Sequence, residues 1–375
     1  MSTAGIIFSN LNMTTSNYLT ADRTVAAIPF GCRYRLVDFA LSNMVNAEIA
    51  NISIVTNYNY RSLMAHIGSG KDWDLARHGA GVRIVSPYQN AYHKGAKLYS
   101  NHLEALCDIA AIIDGIHEEH VVICDSDIIC NIDLASVIAM HEERNADITM
   151  VTVAPNEKWL SRYQRVTAKV GADDVVQSIS LSFEGNGEGE LGLNMYVMDT
   201  NYLRTILLES NAHNYESFTR DILMKRVAGG RICRYLYDGY HAFVADARDY
   251  YAKSIELAKS AEAREGLLGI RERPVYTNVH NTPPARYGVG AEVKNSMIAD
   301  GCVIEGTVEN SVLFRGVHVG KGSVIRDSIL LGGTYVGKNV KLDAVIADKD
   351  VLISDGLVLG GCAELPYYIP KKKHL

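Results

Sequence analysis

The chain has 375 residues, more than a single hydrophobic core ordinarily organises, so two domains are expected. Its 47% hydrophobic and 21% charged residues suit a soluble globular protein, and a net charge of −6 argues against a general nucleic-acid binder. No apolar run approaches the roughly 18 residues of a membrane span and no charged segment precedes the first strand, so neither membrane anchor nor signal peptide is expected.

The chain opens on a short apolar strand, residues 4–8 (AGIIF). Continuous apolar runs follow at 52–56, 82–85, 121–124 and Ile148–Val153. Runs of this kind, without strict alternation, are strands buried on both faces. Helix-length segments lie between them at 101–114 and Leu134–Glu143, the second with Asp133 placed as its N-cap. Strand–helix alternation of this sort predicts an α/β domain: a doubly wound, mostly parallel sheet that binds ligands outside the carboxyl ends of its strands. Asp125-Ser126-Asp127 follows the run 121–124 directly. Carboxylates at a strand end can hold a divalent cation against nucleotide phosphates, but they equally suit a polar turn.

The texture changes near residue 291. Ile298 and Ile304, then Leu313, Val319 and Ile325, then Leu330, Val336 and Leu342 recur at a spacing of six. Small or apolar residues fall four after several of these (Cys302, Val317, Ser323, Thr334, Val340), and Gly320 and Gly337 follow Val319 and Val336. A six-residue period with inward aliphatic side chains predicts a left-handed parallel β-helix of hexapeptide repeats, whereas sandwich strands would alternate with period two. The register slips between Ile325 and Leu330, which predicts corners or loops there. Pro283-Pro284 cannot continue a helix and reads as an extended linker. The expected division is 1–270 for the first domain, 271–290 for the linker and 291–375 for the β-helix, whose flat faces suggest oligomerisation. Lys371–Lys373 reads as a solvated tail. The seven cysteines, Cys32, Cys107, Cys124, Cys130, Cys233, Cys302 and Cys362, are scattered, odd in number and without a CxxC pair, which predicts a reduced, cytoplasmic protein without a zinc site.

Segment 28–43 (IPFGCRYRLVDFALSN) resembles the sugar-nucleotide pyrophosphorylases, closest to the bacterial glucose-1-phosphate adenylyltransferase version. Segments 281–286 (NTPPAR) and 306–313 (GTVENSVL) look like the linker and first coils of that family. The resemblance covers nearly the whole chain. It implies a nucleotidyltransferase domain before the β-helix, transfer of an adenylyl group from ATP to glucose 1-phosphate with release of pyrophosphate, a role in glycogen or starch synthesis, and a tetramer under allosteric control.

The chemistry implied needs backbone donors around a triphosphate, a divalent cation and a basic residue. The departures fall on those parts. Residues 8–14 (FSNLNMT) stand where the family has Gly-Gly-x-Gly-Thr-Arg-Leu, without a glycine or the basic residue. Val25 replaces a lysine, and Leu181, within 175–182 (VVQSISLS), falls on the sugar-phosphate lysine. Segment 239–245 (GYHAFVA) aligns with Gly-Tyr-Trp-x-Asp-Val-Gly, putting Phe243 on a metal-binding aspartate, while Asp127 retains the other as a vestigial ligand. Asp246, three residues on along a strand, would face away and not replace it. Segment 95–99 (GAKLY) shortens the adenine-side Gly-Thr-Ala-Asp-Ala.

Scaffold kept and chemistry lost resembles the accessory, GlgD-type regulatory subunit of this family. That implies no catalytic residues and no cofactor required by this chain, Mg²⁺ used by a catalytic partner subunit, and a cytoplasmic heterotetramer with that partner, without nucleic acid or membrane. Arg23 and Arg35 fall on effector-site arginines that bind sugar phosphates such as fructose 1,6-bisphosphate, although Asp22 stands where the family has a lysine. Arg35 could equally pair with Asp38 or cap a helix. Two other readings stay open: an active sugar-phosphate nucleotidyltransferase with an atypical phosphate loop, and an acyltransferase of the kind that uses β-helix coils, for which His318 would be the base.

Overall fold

The computed structural model describes residues 2–9, 18–76, 80–86, 98–154, 159–185 and 189–375, the side chains of 159–163 and 185 excepted. Residues 10–14 of the phosphate loop and 95–97 of the adenine-side segment lie outside the described residues.

The first domain begins with β1 (Thr3–Phe8), β2 (Pro29–Phe30), β3 (Tyr34–Arg35), α1 (Leu36–Asn46), β4 (Asn51–Val55), α2 (Arg61–Ile67) and β5 (Gly81–Val85). Next come α3 (His102–Asp108), α4 (Ala110–Asp114), β6 (His120–Asp125), β7 (Ile128–Cys130), α5 (Leu134–Glu143) and β8 (Ile148–Val153). The domain closes with β9 (Trp159–Val170), β10 (Val176–Gly185), β11 (Glu190–Asp199), α6 (Thr200–His213), α7 (Met224–Arg226), β12 (Ile232–Tyr237), β13 (His241–Phe243), α8 (Ala247–Lys259) and α9 (Ala261–Leu268). Asp133 caps α5 as its composition suggests, accepting from the Ala135 and Ser136 amides. The single helix expected over 101–114 is two, because buried Ile109 leaves helical geometry at φ −91°, ψ 13°.

The nine-stranded sheet is mixed rather than mostly parallel. The order β6-β1-β4-β5 is parallel throughout, as is the pair β8-β12. Between those halves β11 runs antiparallel to both β6 and β8, and the antiparallel hairpin β9-β10 joins at its start. Segment 175–182 thus belongs largely to β10, where Leu181 pairs with Val166 and packs on the core.

Motif 28–43 folds into the β2-β3 hairpin and α1, and its polar residues are fasteners. Asp38 accepts from the Arg35 amide at 3.0 Å and lies 2.6 Å from His66 Nε2, tying α1 to α2. Asn43 donates to the Cys130 carbonyl and accepts from the Ile132 amide, fixing α1 against β7. Most buried polar groups in folded proteins are paired in this way.

Residues 286–369 contain three five-stranded parallel sheets wound as a left-handed β-helix. One strand of the first coil, Arg286–Tyr287, lies inside the stretch 271–290 read as linker and pairs with Val303–Ile304. The register slip is a regular corner. Leu313, Val319 and Ile325 sit on three successive faces, and Leu330 returns to the face of Leu313. Steps of six, six and five residues therefore close one coil. At another corner the chains touch: a Cβ on Gly320 would stand 2.5 Å from the Gly337 carbonyl oxygen. The C-terminus is no loose tail. The Leu352 amide donates to Lys373 O, and the Ser354 amide to Leu375 O, so the last residues cover the edge of the final coil.

The two domains share a core. Phe30, Phe39, Tyr250 and Leu257 of the first pack with Val312, Phe314, Ile329 and Ile346 of the coils. No described helix is long and apolar enough to cross a membrane.

Candidate functional site

The carboxyl ends of β6 and β13 and the amino end of β7 meet at Asp125 and Asp127. Antiparallel pairing of β7 with β13 sets Phe243 opposite Ile128, and the Val244 amide donates to the Asp127 carbonyl at 2.9 Å. The fold thus brings residues 127 and 243 together, as the alignment of the two metal positions requires. Asp125 is spoken for: His102 Nε2 lies 2.6 Å from its Oδ1, and Asn194 Nδ2 donates to its Oδ2 at 3.0 Å.

Asp127 is differently placed. Its Oδ1 is buried and finds no hydrogen-bond partner among the described residues. Burial, then the neighbouring Asp125 carboxylate, pushes its pKa up to about 7, with Arg165 and His102 holding it back. Beside it, where an aspartate would complete a metal pair, the Phe243 ring carries a guanidinium: Arg165 Cζ lies 3.8 Å from its centroid. Mg²⁺ demands near-octahedral oxygen ligands. One buried carboxylate of raised pKa, a phenyl ring and a fixed positive charge do not fit it. Arg165 and Phe243 line a cleft of about 870 Å³ whose wall mixes Arg248 and Lys253 with Asp238, Asp249 and Glu256. Asp246 does not repair the metal site. It lies beyond β13 as the N-cap of α8, accepting from the Arg248 and Asp249 amides, and not on a strand facing away. Val25, where a phosphate-binding lysine is expected, is 4% exposed and part of the shared core.

The expected effector arginines lie at the junction of the domains and differ from each other. Arg23 is 3% exposed, and its Nη2 donates to both Asp348 oxygens at 2.8 Å. That makes it a bridge between the domains and not an open ligand for phosphate. Arg35 is half-buried. Its amide meets Asp38, as the capping alternative foresaw, while Nη1 donates to Ser62 O and Oγ at 2.7 and 2.9 Å. Burial lowers its pKa to about 10 against the pull of Asp38. Lys349 joins them from the β-helix: burial, then the charges of Arg35 and Arg23, brings its pKa down to about 8. Lys371 reaches Asp22 at 2.8 Å, so part of the run read as a solvated tail belongs to this junction.

Sequence reasoning missed His102, Asn194, Arg165 and Lys349. No local signal marks them, since each acts on a partner at least 23 residues away in the chain. His318, the candidate acyltransferase base, stacks on Tyr335 of the next coil at 4.5 Å between centroids.

A nucleotidyl transferase family model matches residues 18–179, and a GlmU-like C-terminal hexapeptide model matches 283–365. The glycogen biosynthesis protein GlgD of Bacillus subtilis (strain 168) is 35% identical over 358 residues, 94% of this chain and 91% of that protein. Glucose-1-phosphate adenylyltransferases of Bacillus thuringiensis subsp. konkukian and Bacillus anthracis are each 30% identical over 345 residues, 91% of this chain and 90% of theirs.

Proposed function

Since the chain belongs to the glucose-1-phosphate adenylyltransferase family, we propose that it is a regulatory subunit with little or no catalysis of its own, acting in glycogen biosynthesis. The observation that carries this reading is Phe243 under Arg165 beside Asp127. The place where adenylyl transfer needs a divalent cation holds a guanidinium instead, and loss of one strong electrostatic contact costs on the order of 10²–10³ in rate. Its partner is a catalytic subunit that binds Mg²⁺, in a cytoplasmic heterotetramer. The intact shared core and capped coils support a scaffold retained for assembly.

Arg35 and Lys349 offer a sugar-phosphate effector two cations from two domains, with Arg23 and Asp348 holding those domains in register. Such a ligand would bias the junction and, through it, the assembly.

The deciding assay measures ADP-glucose formation from ATP, glucose 1-phosphate and Mg²⁺, by the purified chain alone and mixed with the catalytic subunit of the same organism. Negligible turnover alone, with a changed rate or effector response in the mixture, is expected. In that mixture Arg35→Ala should blunt the effector response while this chain stays folded by circular dichroism. Turnover alone at an ordinary enzyme rate would instead establish the atypical-loop nucleotidyltransferase.

A further inference from the structure

At the end of β6 far from Asp125, two histidines and a carboxylate converge. His120 opens β6, Asp199 ends β11, and the two are direct cross-strand neighbours. His141 comes from α5, which packs over β8 and β11. His120 Nδ1 and His141 Nε2 lie 2.8 and 3.8 Å from Asp199 Oδ1. One ligand atom from each of the three residues lies within 4.8 Å of the others. Both histidines are buried, at 7% and 2% exposure, and Nδ1 of His120 makes no hydrogen bond despite its nearness to Asp199.

The outward nitrogens are held as those of metal-binding imidazoles are. His120 Nε2 is 3.0 Å from Glu142 Oε1, and His141 Nδ1 is 2.9 Å from Thr149 Oγ1. A carboxylate or hydroxyl on the far nitrogen fixes the tautomer and orients the ring. The near nitrogens then face one carboxylate. Tetrahedral zinc, with bonds of about 2.0–2.2 Å, separates its ligand atoms by roughly 3.3–3.5 Å. The two separations to Asp199 bracket that, and the two imidazole nitrogens, within 4.8 Å of each other, need side-chain rotation to close on one ion. Asp199 is 59% exposed, which leaves a fourth position open to water.

We propose that His120, His141 and Asp199 bind one Zn²⁺ ion. Two imidazoles and a carboxylate suit zinc better than magnesium or calcium, which prefer all-oxygen shells. The site is separate from the adenylyl-transfer position, at the opposite end of β6 and on the order of 17 Å away at ~3.3 Å per residue. It would pin α5 to the seam where the parallel and antiparallel halves of the sheet meet. This departs from the expectation of no zinc site drawn from the cysteines, whose spacing bears only on thiolate sites.

The full chain, stripped with chelator and desalted, would be titrated with zinc chloride by calorimetry, and its melting followed with and without the ion. One equivalent per chain and a raised Tm are expected. Asp199→Asn, at an exposed position that folding tolerates, should weaken binding at least tenfold, as should His141→Gln. Glu142→Gln should weaken it roughly 10–100-fold through the imidazole it orients. Cys362→Ser, which removes the exposed thiol, should change nothing. Absence of binding at micromolar zinc, an unchanged affinity in Asp199→Asn, or loss of binding in Cys362→Ser would each overturn the proposal.

Discussion

Asp127 carries a cost that a working metal site would relieve. Its folded pKa of about 7 lies above the ordinary carboxyl value of 3.8, so the native state holds a proton that the unfolded chain releases. Stability from this group is complete below about pH 4 and is lost as pH rises towards 7. His102 pulls the same way. Burial lowers its pKa, Asp125 outweighs that with a net rise, and its contribution fades as pH climbs above 6.5. Each pKa unit corresponds to about 1.4 kcal/mol. Asp127→Asn, which stays neutral, is therefore expected to exceed the wild type by a few kcal/mol at pH 8 and to match it near pH 4. Urea denaturation at the two pH values checks this. An equal change at both would mean that Asp127 is paired in the native state.

Among the elements, the coils are the most regular and the least tolerant at their corners. Core residues of a solenoid contact only the coils above and below, so one misplaced Cβ disturbs a whole turn. Gly320 sits at an ordinary backbone angle, and its requirement comes from the close approach of Gly337. Gly320→Ala is expected to destabilise the chain by about 1–3 kcal/mol, the range of overpacked interiors. Gly360→Ala, whose nearest neighbour would be 3.7 Å away, should be nearly neutral. Thermal melts of the two variants separate close approach from a general intolerance of alanine. The same corners explain the sequence period, since an inward aliphatic every five or six residues is what three short faces per coil require.

For the whole molecule, the junction decides cooperativity. Arg23 and Asp348 are 325 positions apart, both nearly inaccessible, and Tyr368 adds a hydrogen bond to Asp348 at 2.7 Å. Removing one partner of a buried pair costs roughly 3–5 kcal/mol where the other charge is left alone, and Asp22, 3.0 Å from Arg23 Nε, keeps the cost here towards the lower end. Asp348→Asn is expected to lower the unfolding midpoint accordingly, with both domains melting together because they share a core. Lys371→Ala breaks only the exposed pair with Asp22, and such pairs contribute at most about 1 kcal/mol. If Asp348→Asn cost no more than Lys371→Ala, the junction would be held by apolar packing alone. The cations proposed to receive an effector flank this bridge, so an effector bound there would act on domain registry.

The sequence by itself determined what depends on local pattern. Apolar runs fixed where β1, β4, β5, β6 and β8 lie, Asp133 marked the start of α5, and the six-residue period specified the β-helix. The resemblance, read along segment 239–245, was enough to single out Phe243 before the fold set it opposite Ile128. Tertiary structure decided what depends on long-range encounter. An apolar run carries no direction, so the antiparallel β11 and the β9-β10 hairpin were not legible. Nor were Arg165 over Phe243, Lys349 beside Arg35, or His141 facing His120 and Asp199, because a charge or an imidazole has no function until the fold chooses its neighbour.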